Sequence, residues 1–492
     1  MSSARPVHRI TSPRPFATLD EYVSARGGRG LDVACALDPD EIVAVIEASG
    51  LRGRGGAGFP TGQKWATVRA YRSDALPATV VVNAAEGEPG TIKDRHILTT
   101  NPYQVLEGAL IAARAVSAPD VVIGMKQREG ETLAAVRRAI GEVEAAGWAD
   151  GVGLHICEGP HEYLFGEETA LLEVIDGRQP FPRIAPPFRR GVIEVTEGGE
   201  DANPTSNLSA LVEMAGSSDA PPALVNNVET MANVAHILAR GAEWFRSEGT
   251  DETPGTFVCT VTGQTRRAGV GEIIAGTTVR EVIDLIGGGC EPGRTVKAVL
   301  AGVSNRVITA ELLDTPITYE DMRPRGLGPG SAGFIVFDDT TDMVAVAAGV
   351  ARFLATESCG QCTPCKQDGR AIAIRLGSLA DNAATAADVD VVDRALETVA
   401  TGARCYLASQ QQIAVGSIVD AFPDEFIGHL GGSVDPAAPV LVAELVALDD
   451  ESAVWDQRQR DKQPDWSYDA SWNGQSPADR YRDQLAAGTV EV

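Results

Sequence analysis

Apolar positions in the N-terminal part of this chain follow two periods that alternate along it. "PYQVLEGALIAARAV" (102–116) repeats its apolar residues at three- and four-residue steps and predicts a helix, and "GETLAAVRRAIGEVEAAG" (130–147) predicts a second. Short apolar runs beside them read as strands: 79–82 in "ATVVVNAAEGEPG", "DVVIGMK" (120–126) and "GVGLHICEG" (151–159). "ALDPDEIVAVIEASG" (36–50) is a short helix with its own boundaries, Asp38 as N-cap, Pro39 in the first turn, Glu41 three residues on and Gly50 at the stop. Strands alternating with helices predict an open α/β sheet with a ligand crevice at the strand ends.

The pattern then changes. Residues 191–222 are rich in Gly, Ser, Asn, Asp and Pro and read as a loop inserted into an α/β domain spanning 31–250. "GTFVCTVTGQTRRAGVGEII" (255–274) alternates like a hairpin, and a short helix follows, giving a β-rich domain at 251–338. Residues 339–432 read as mostly helical. Residues 1–30 read as a loose arm. The extension 433–492 is polar yet carries Trp455, Trp466 and Trp472, which are expected to anchor on a partner or on the chain's own surface.

The chain has 492 residues and a formal net charge of −26, which argues against non-specific binding to nucleic acid or to an anionic membrane surface. No run approaches the roughly 20 apolar residues of a spanning helix, and the N-terminus lacks the apolar core of a signal peptide. The expectation is a cytoplasmic protein with no direct membrane insertion. Eight cysteines then read as reduced thiols.

"LRGRGGAGFPTGQKW" (51–65) is dense in glycine but follows a helix and lacks the Gly-Lys-Ser/Thr ending of a Walker loop. Its bare backbone N–H groups suit a phosphate, with Lys64 as a point charge; the alternative is a plain surface loop. "NAAEGEPG" (83–90) and "YLFGEETALLE" (163–173) bring carboxylates to element ends, where they can accept ribose hydroxyl hydrogens or simply be solvated. "VNNVET" (225–230) adds paired asparagines, whose amides match the donors and acceptors of a flavin ring.

Cys359, Cys362 and Cys365 lie in "ESCGQCTPC" at two-residue gaps. Zinc sites usually pair cysteines well apart, whereas this run resembles an iron–sulfur binding sequence. The fourth ligand lies elsewhere. Cys35, Cys157, Cys259 and Cys290 read as small buried hydrophobes, and Cys405, in the same helical segment, is the choice.

"GRGGAGFPTGQKW", "NAAEGEPGTIKDR", "GEETALLE", "VNNVETMANV" and "ESCGQCTPC" occur in this order. Together they resemble the family of 51-kDa NADH-binding flavoprotein subunits of respiratory complex I. The family includes the diaphorase subunits of NAD-linked formate dehydrogenases and hydrogenases. The resemblance covers about 42–430. It implies a Rossmann-like FMN/NADH domain, a ubiquitin-like β-grasp domain and a helical [4Fe–4S] domain, with Cys405 as fourth ligand. It implies a flavin site of Gly53, Arg54, Gly55, Gly56, Lys64, Asn83, Glu86, Tyr163, Gly166, Glu167, Glu168, Val225, Asn226, Asn227 and Thr230. NAD(H) would meet Phe59, Glu88, Glu167 and Phe188, the two phenylalanines stacking on adenine. No protein side chain is implied as a chemical catalyst, since the cofactors carry the reaction. The implied partners are a thioredoxin-like [2Fe–2S] subunit and a larger iron–sulfur or catalytic subunit, with peripheral membrane association through them.

Two positions depart from the family pattern. Ala85 stands where an Asp is usual, and Ala185 stands where many members have a Lys that could meet the nucleotide. Rival readings are a flavin relay to ferredoxin or another protein without nicotinamide, and a scaffold whose cluster is structural.

Overall fold

The computed structural model describes residues 6–193, 220–449 and 451–464. Four strands form an all-parallel sheet in the order β3-β2-β1-β4, with β1 Thr79–Asn83, β2 Asp120–Lys126, β3 Gly153–Gly159 and β4 Ala223–Asn227. Side chains alternate faces along β1. Val80 and Val82 join the larger core, which includes helix Pro102–Val116, and Val81 joins a second core with Leu171 and Leu172 of helix Glu168–Ile175. Cover on both faces explains why β1 reads as an unbroken apolar run.

Helix Pro39–Ser49 begins with a capping box of Asp38 and Glu41 and ends at Gly50, whose φ of 71° is the left-handed stop. The predicted helix at 102–116 and strand at 120–126 match the observed elements.

The second sheet runs β6-β5-β9-β7-β8, with β5 Thr256–Gly263, β6 Gly269–Ile274, β7 Val296–Ala301, β8 Ile308–Thr309 and β9 Gly333–Asp338. Only β5 and β9 are parallel neighbours, and helix Val279–Val282 packs on the sheet, giving the β-grasp arrangement. Beyond it, helices Met343–Glu357, Thr363–Ala380 and Ala386–Thr398 and the turns from Leu407 to Leu430 build a third core.

One expectation changes, and that of a tail anchored on the chain's own surface holds for Trp455. The described part of the N-terminal arm is not loose: Leu19–Ser24 is helical with Leu19 and Tyr22 buried, and Glu272 accepts the N–H groups of Arg9, Ile10 and Thr11 at 2.8, 2.9 and 3.0 Å. The C-terminal extension also folds back. β10 Leu445–Asp449 and β11 Ser452–Trp455 form a hairpin, Trp455 packs on the third core, and Glu444 pairs with the fully buried Lys126 of β2. Trp466 and Trp472, with most of the 191–222 loop, lie outside the described residues. Among the described residues no helix is long and apolar enough to cross a membrane.

Candidate functional site

Parallel pairing of β1 with β4 sets Asn83 opposite Asn227 at the carboxyl ends of the two strands. A cleft of about 600 Å³ opens there, where the strand order β3-β2-β1 reverses to β4. Gly55, Gly56, Asn83, Glu86, Glu88, Tyr163, Gly166, Glu167 and Asn227, all singled out from the sequence, line it.

The Gly-rich loop crosses Asn227 closely enough that a Cβ on Gly55 would sit 3.1 Å from the Asn227 Cβ. At Gly56, with φ of 131°, a Cβ would meet nothing within 4 Å, so bare backbone borders open space. Asn83 donates its amide to Gly166 O at 2.8 Å and accepts from Ala85 N at 3.2 Å, locking two cleft turns together.

A buried charge cluster supports the floor. Lys93 Nζ lies 2.8 Å from both Asp94 Oδ1 and Glu229 Oε2. Burial opposes the ammonium, but the two carboxylates prevail and hold it charged. Asn227 donates to Asp94 at 2.6 Å and accepts from Glu229 N at 2.9 Å, so its amide orientation is fixed.

The carboxylates are partly committed. Glu86 accepts from Asp94 N, Arg95 N and Arg95 Nε at 3.1, 3.3 and 3.2 Å. Glu167 caps helix Glu168–Ile175 through Thr169 N, Thr169 Oγ1 and Ala170 N; all three bonds fall on Oε2, and Oε1 keeps its acceptor capacity. Glu88 accepts from Tyr163 Oη at 2.6 Å and Val303 N at 2.7 Å. Burial raises both Glu88 and Glu167 above the usual carboxylate range, against these bonds.

Other predicted residues face elsewhere. The Arg54 guanidinium is buried over Phe257, 4.1 Å from its ring centroid, and donates to Pro254 O; its backbone N–H goes to Thr230 Oγ1 at 2.9 Å. Both side chains are therefore consumed behind the loop. Asn226 accepts from the Trp65 indole at 2.9 Å. Lys64 pairs with Glu168 and donates to Val225 O at 2.7 Å, outside the cleft lining, and Gly53 sits behind the loop, bonded to Phe59 O. Phe59 is half exposed, and Phe188 packs against Tyr71 with centroids 5.1 Å apart, so neither phenylalanine lines the cleft as a stacking surface.

Sequence reasoning missed the opposite wall. Ser304, Asn305, Tyr319, Arg323, 327–329 and Ser331 come from the β-grasp unit, and Tyr406, Leu407 and Gln410 from the helical unit. Tyr319 donates to Gly53 O at 3.3 Å, and a Cβ on Gly58 would fall 2.3 Å from its ring. The density of glycine around 53–58 was the available signal that something large presses on that loop.

Cys359, Cys362, Cys365 and Cys405 line one small cavity with Leu164, Pro182, Leu407 and Ala408. Among the described residues no three His, Cys, Asp or Glu side chains close on a point as around a single ion. The four sulfurs border a space instead, and its donor set is thiol only, which fits a cubane cluster. Burial pushes Cys365 up to about 11 and Cys405 up to about 12, so ionised sulfur here needs positive charge from a bound group. Cys157 and Cys259 are buried elsewhere, and Cys35 is exposed.

Residues 46–236 match the family described as the Nuo51 FMN-binding domain, and residues 345–429 match the NADH-ubiquinone oxidoreductase-F iron–sulfur binding region. The F subunit of NADH-quinone oxidoreductase numbered 2 in Rhizobium meliloti (strain 1021) is 35% identical over 84% of this chain and 94% of its own. NADP-reducing hydrogenase subunit HndC of Solidesulfovibrio fructosivorans is 32% identical over 85% of this chain and 82% of its own. The crystal structure of a NAD+-reducing [NiFe]-hydrogenase in the H2-reduced state superposes with a TM-score of 0.72 at 30% identity, covering 87% of this chain and 68% of that one.

Proposed function

Because the chain belongs to the family of NADH-quinone oxidoreductase F subunits, we propose that it exchanges hydride between NADH and FMN in the cleft and passes single electrons through a four-cysteine [4Fe–4S] cluster to a partner subunit. The observation that carries this reading is a shared wall: Leu164 and Leu407 line both the cleft and the cysteine cavity. The two sites are one side-chain layer apart. Bound FMN supplies the exchange between two-electron and one-electron chemistry, and the cluster accepts electrons singly.

The chain's own residues orient and select. Backbone around Gly55 and Gly56 gives phosphate-sized room with N–H donors, and Lys64, Glu168 and Val225 border that region from outside. Asn83 and Asn227 present fixed amides toward the ring. Glu86, Glu88 and Glu167 offer acceptors to ribose hydroxyls and repel a 2′-phosphate, so NADH is preferred to NADPH. The adenine surface falls to Tyr319 or Tyr406, which line the cleft, in place of Phe59 and Phe188. The partner is a thioredoxin-like [2Fe–2S] subunit, followed by a larger catalytic subunit, in a cytoplasmic assembly.

Stopped-flow mixing of the flavin-loaded protein with NADH tests this directly, with loss of flavin absorbance as the expected result. Flavin that dithionite reduces but excess NADH leaves oxidised would sink the nicotinamide role and favour a protein-to-protein relay. Flavin-free protein with an intact cluster would favour the scaffold.

A further inference from the structure

Helix Val228–Arg240 starts at the flavin-side cleft, next to Asn227, and its other end, about 18 Å away at 1.5 Å per residue, borders a different cavity. That second cavity, an open one of about 430 Å³, is lined by 8–13, 25–27, Arg29, the start of helix Pro102–Val116 and Trp244. Its charge runs against the rest of the molecule. Arg9, Arg26, Arg29 and Arg240 line it in a chain of net charge −26, while burial lowers the neighbouring His236 to about 4 and keeps it neutral.

Two of the arginines are held against one ring, and among the described residues only Arg9 has a carboxylate partner. Arg9 and Arg240 both lie over the Trp244 ring, 4.3 and 4.9 Å from its centroid. Arg9 is further fixed by bonds to Trp244 O, Phe245 O and Ser247 Oγ, with Glu248 at 3.7 Å. Among the described residues, Arg26, Arg29 and Arg240 have no ion pair. Arg26, at φ of 75°, is the left-handed residue that closes helix Leu19–Ser24, with Arg26 N and Gly27 N bonded back to Val23 O and Tyr22 O, both at 2.9 Å. The single carboxylate lining the cavity is spent: Glu107 accepts from Tyr22 Oη at 2.6 Å, Gly28 N at 2.9 Å and Leu31 N at 3.0 Å. Thr11, Ser12, Asn101 and Gln104 also line the cavity and are bonded to Glu272, Arg14 O, Gln104 N, and Ile10 O with His236, respectively.

We propose that this cavity is a second ligand site, taking a small multivalent oxyanion, a pyrophosphate-type or a polycarboxylate group. Concentrated, unpaired guanidinium groups bind such anions by charge-assisted and bidentate hydrogen bonds. The site is independent of the redox reading, since it shares no lining residue with the cleft or the cysteine cavity.

The test is calorimetric titration of the full-length, flavin-loaded protein, saturated with NAD+, with pyrophosphate and separately with citrate. Potassium chloride of matched ionic strength is the control. One saturable site per chain is expected, weakened at least tenfold in Arg26→Ala/Arg29→Ala and in Arg240→Gln. Arg26, Arg29 and Arg240 are exposed, so the variants should keep wild-type flavin content and thermal midpoint. Binding of pyrophosphate alone assigns a phosphoanhydride ligand, and binding of citrate alone a polycarboxylate. No saturable heat with either anion, the same heat with chloride, or wild-type affinity in both variants overturns the proposal.

Discussion

Tyr163 donates its phenolic hydrogen to Glu88 at 2.6 Å while accepting one from Gln410 at 2.7 Å, so one hydroxyl ties the acidic turn after β1 to the helical segment that follows Cys405. Burial raises Glu88, and the Tyr163 bond works against that rise. Removing the bond with Tyr163→Phe lets the carboxyl protonate at higher pH. Charged Glu88 is the better acceptor for ribose hydroxyls, so as pH is lowered flavin reduction by NADH should fail at a higher pH in the variant than in wild type. Rate–pH profiles that coincide for variant and wild type would show that Glu88 does not hold the nucleotide.

The four-cysteine assignment predicts that Cys405→Ser loses most of the cluster iron and its reduced-state EPR signal. Cys259→Ser should leave both intact, because Cys259 is buried in the core of the second sheet. Iron analysis and EPR on the two variants decide the matter, and an unchanged spectrum in Cys405→Ser would move the fourth ligand elsewhere.

Glu129 gives a pH signature of folding. Burial lifts its carboxyl from 4.5 to about 8, outweighing Arg95 and Lys126. The protonated form is therefore favoured in the folded chain, and its contribution is full below the ordinary value and lost as pH rises through about 8. Glu129→Gln keeps the neutral form at all pH values. It should match wild type near pH 5 and exceed it near pH 9 by roughly 1–3 kcal/mol. Thermal midpoints at the two pH values check this; a difference that does not change with pH would refute it.

The C-terminal return makes its own prediction. Lys126 is fully buried against Glu444, so Glu444→Ala strands an ammonium and should cost about 3–5 kcal/mol, whereas Lys126→Met/Glu444→Leu should recover most of that. Equal loss in the single and double variants would show that charge pairing is not the cause. Ending the chain after Gly432 also removes buried Val442, Ala443 and Leu445, so it should lower the thermal midpoint of the isolated protein as well as weaken assembly.

What could be read from the chain depended on distance along it. Helix Pro102–Val116 and strand Asp120–Lys126 were legible because periodicity and capping are local. The cleft floor was legible because Asn83 and Asn227 end apolar runs, and the cysteine triad because its spacing is chemical. Tyr319 and Arg323 were not, since only the β-grasp topology carries them to the Gly-rich loop. Arg54, Asn226 and Thr230 have the right residue types, yet burial turned their polar groups inward to Pro254, Trp65 and the Arg54 N–H. The tail read as polar because its charged end, 449–465, masked the apolar run VLVAELVAL at 440–448, which leads into a two-stranded hairpin whose Trp455 packs on another core.

The wall of Leu164 and Leu407 has a further consequence. Both side chains are buried hydrocarbon with no donor or acceptor at their tips. Charge can tunnel through such a partition with no atom moving, whereas a proton crosses only along polar groups, which neither leucine side chain supplies. The partition sorts particles by mass. Glu88, Tyr163 and Gln410 line the cleft and are hydrogen-bonded in a row, so a proton released there would have polar groups to move along on that side. Leu407→Ser should open a wet path between the two compartments, and the cluster would then meet dissolved oxygen through the same opening that admits nucleotide.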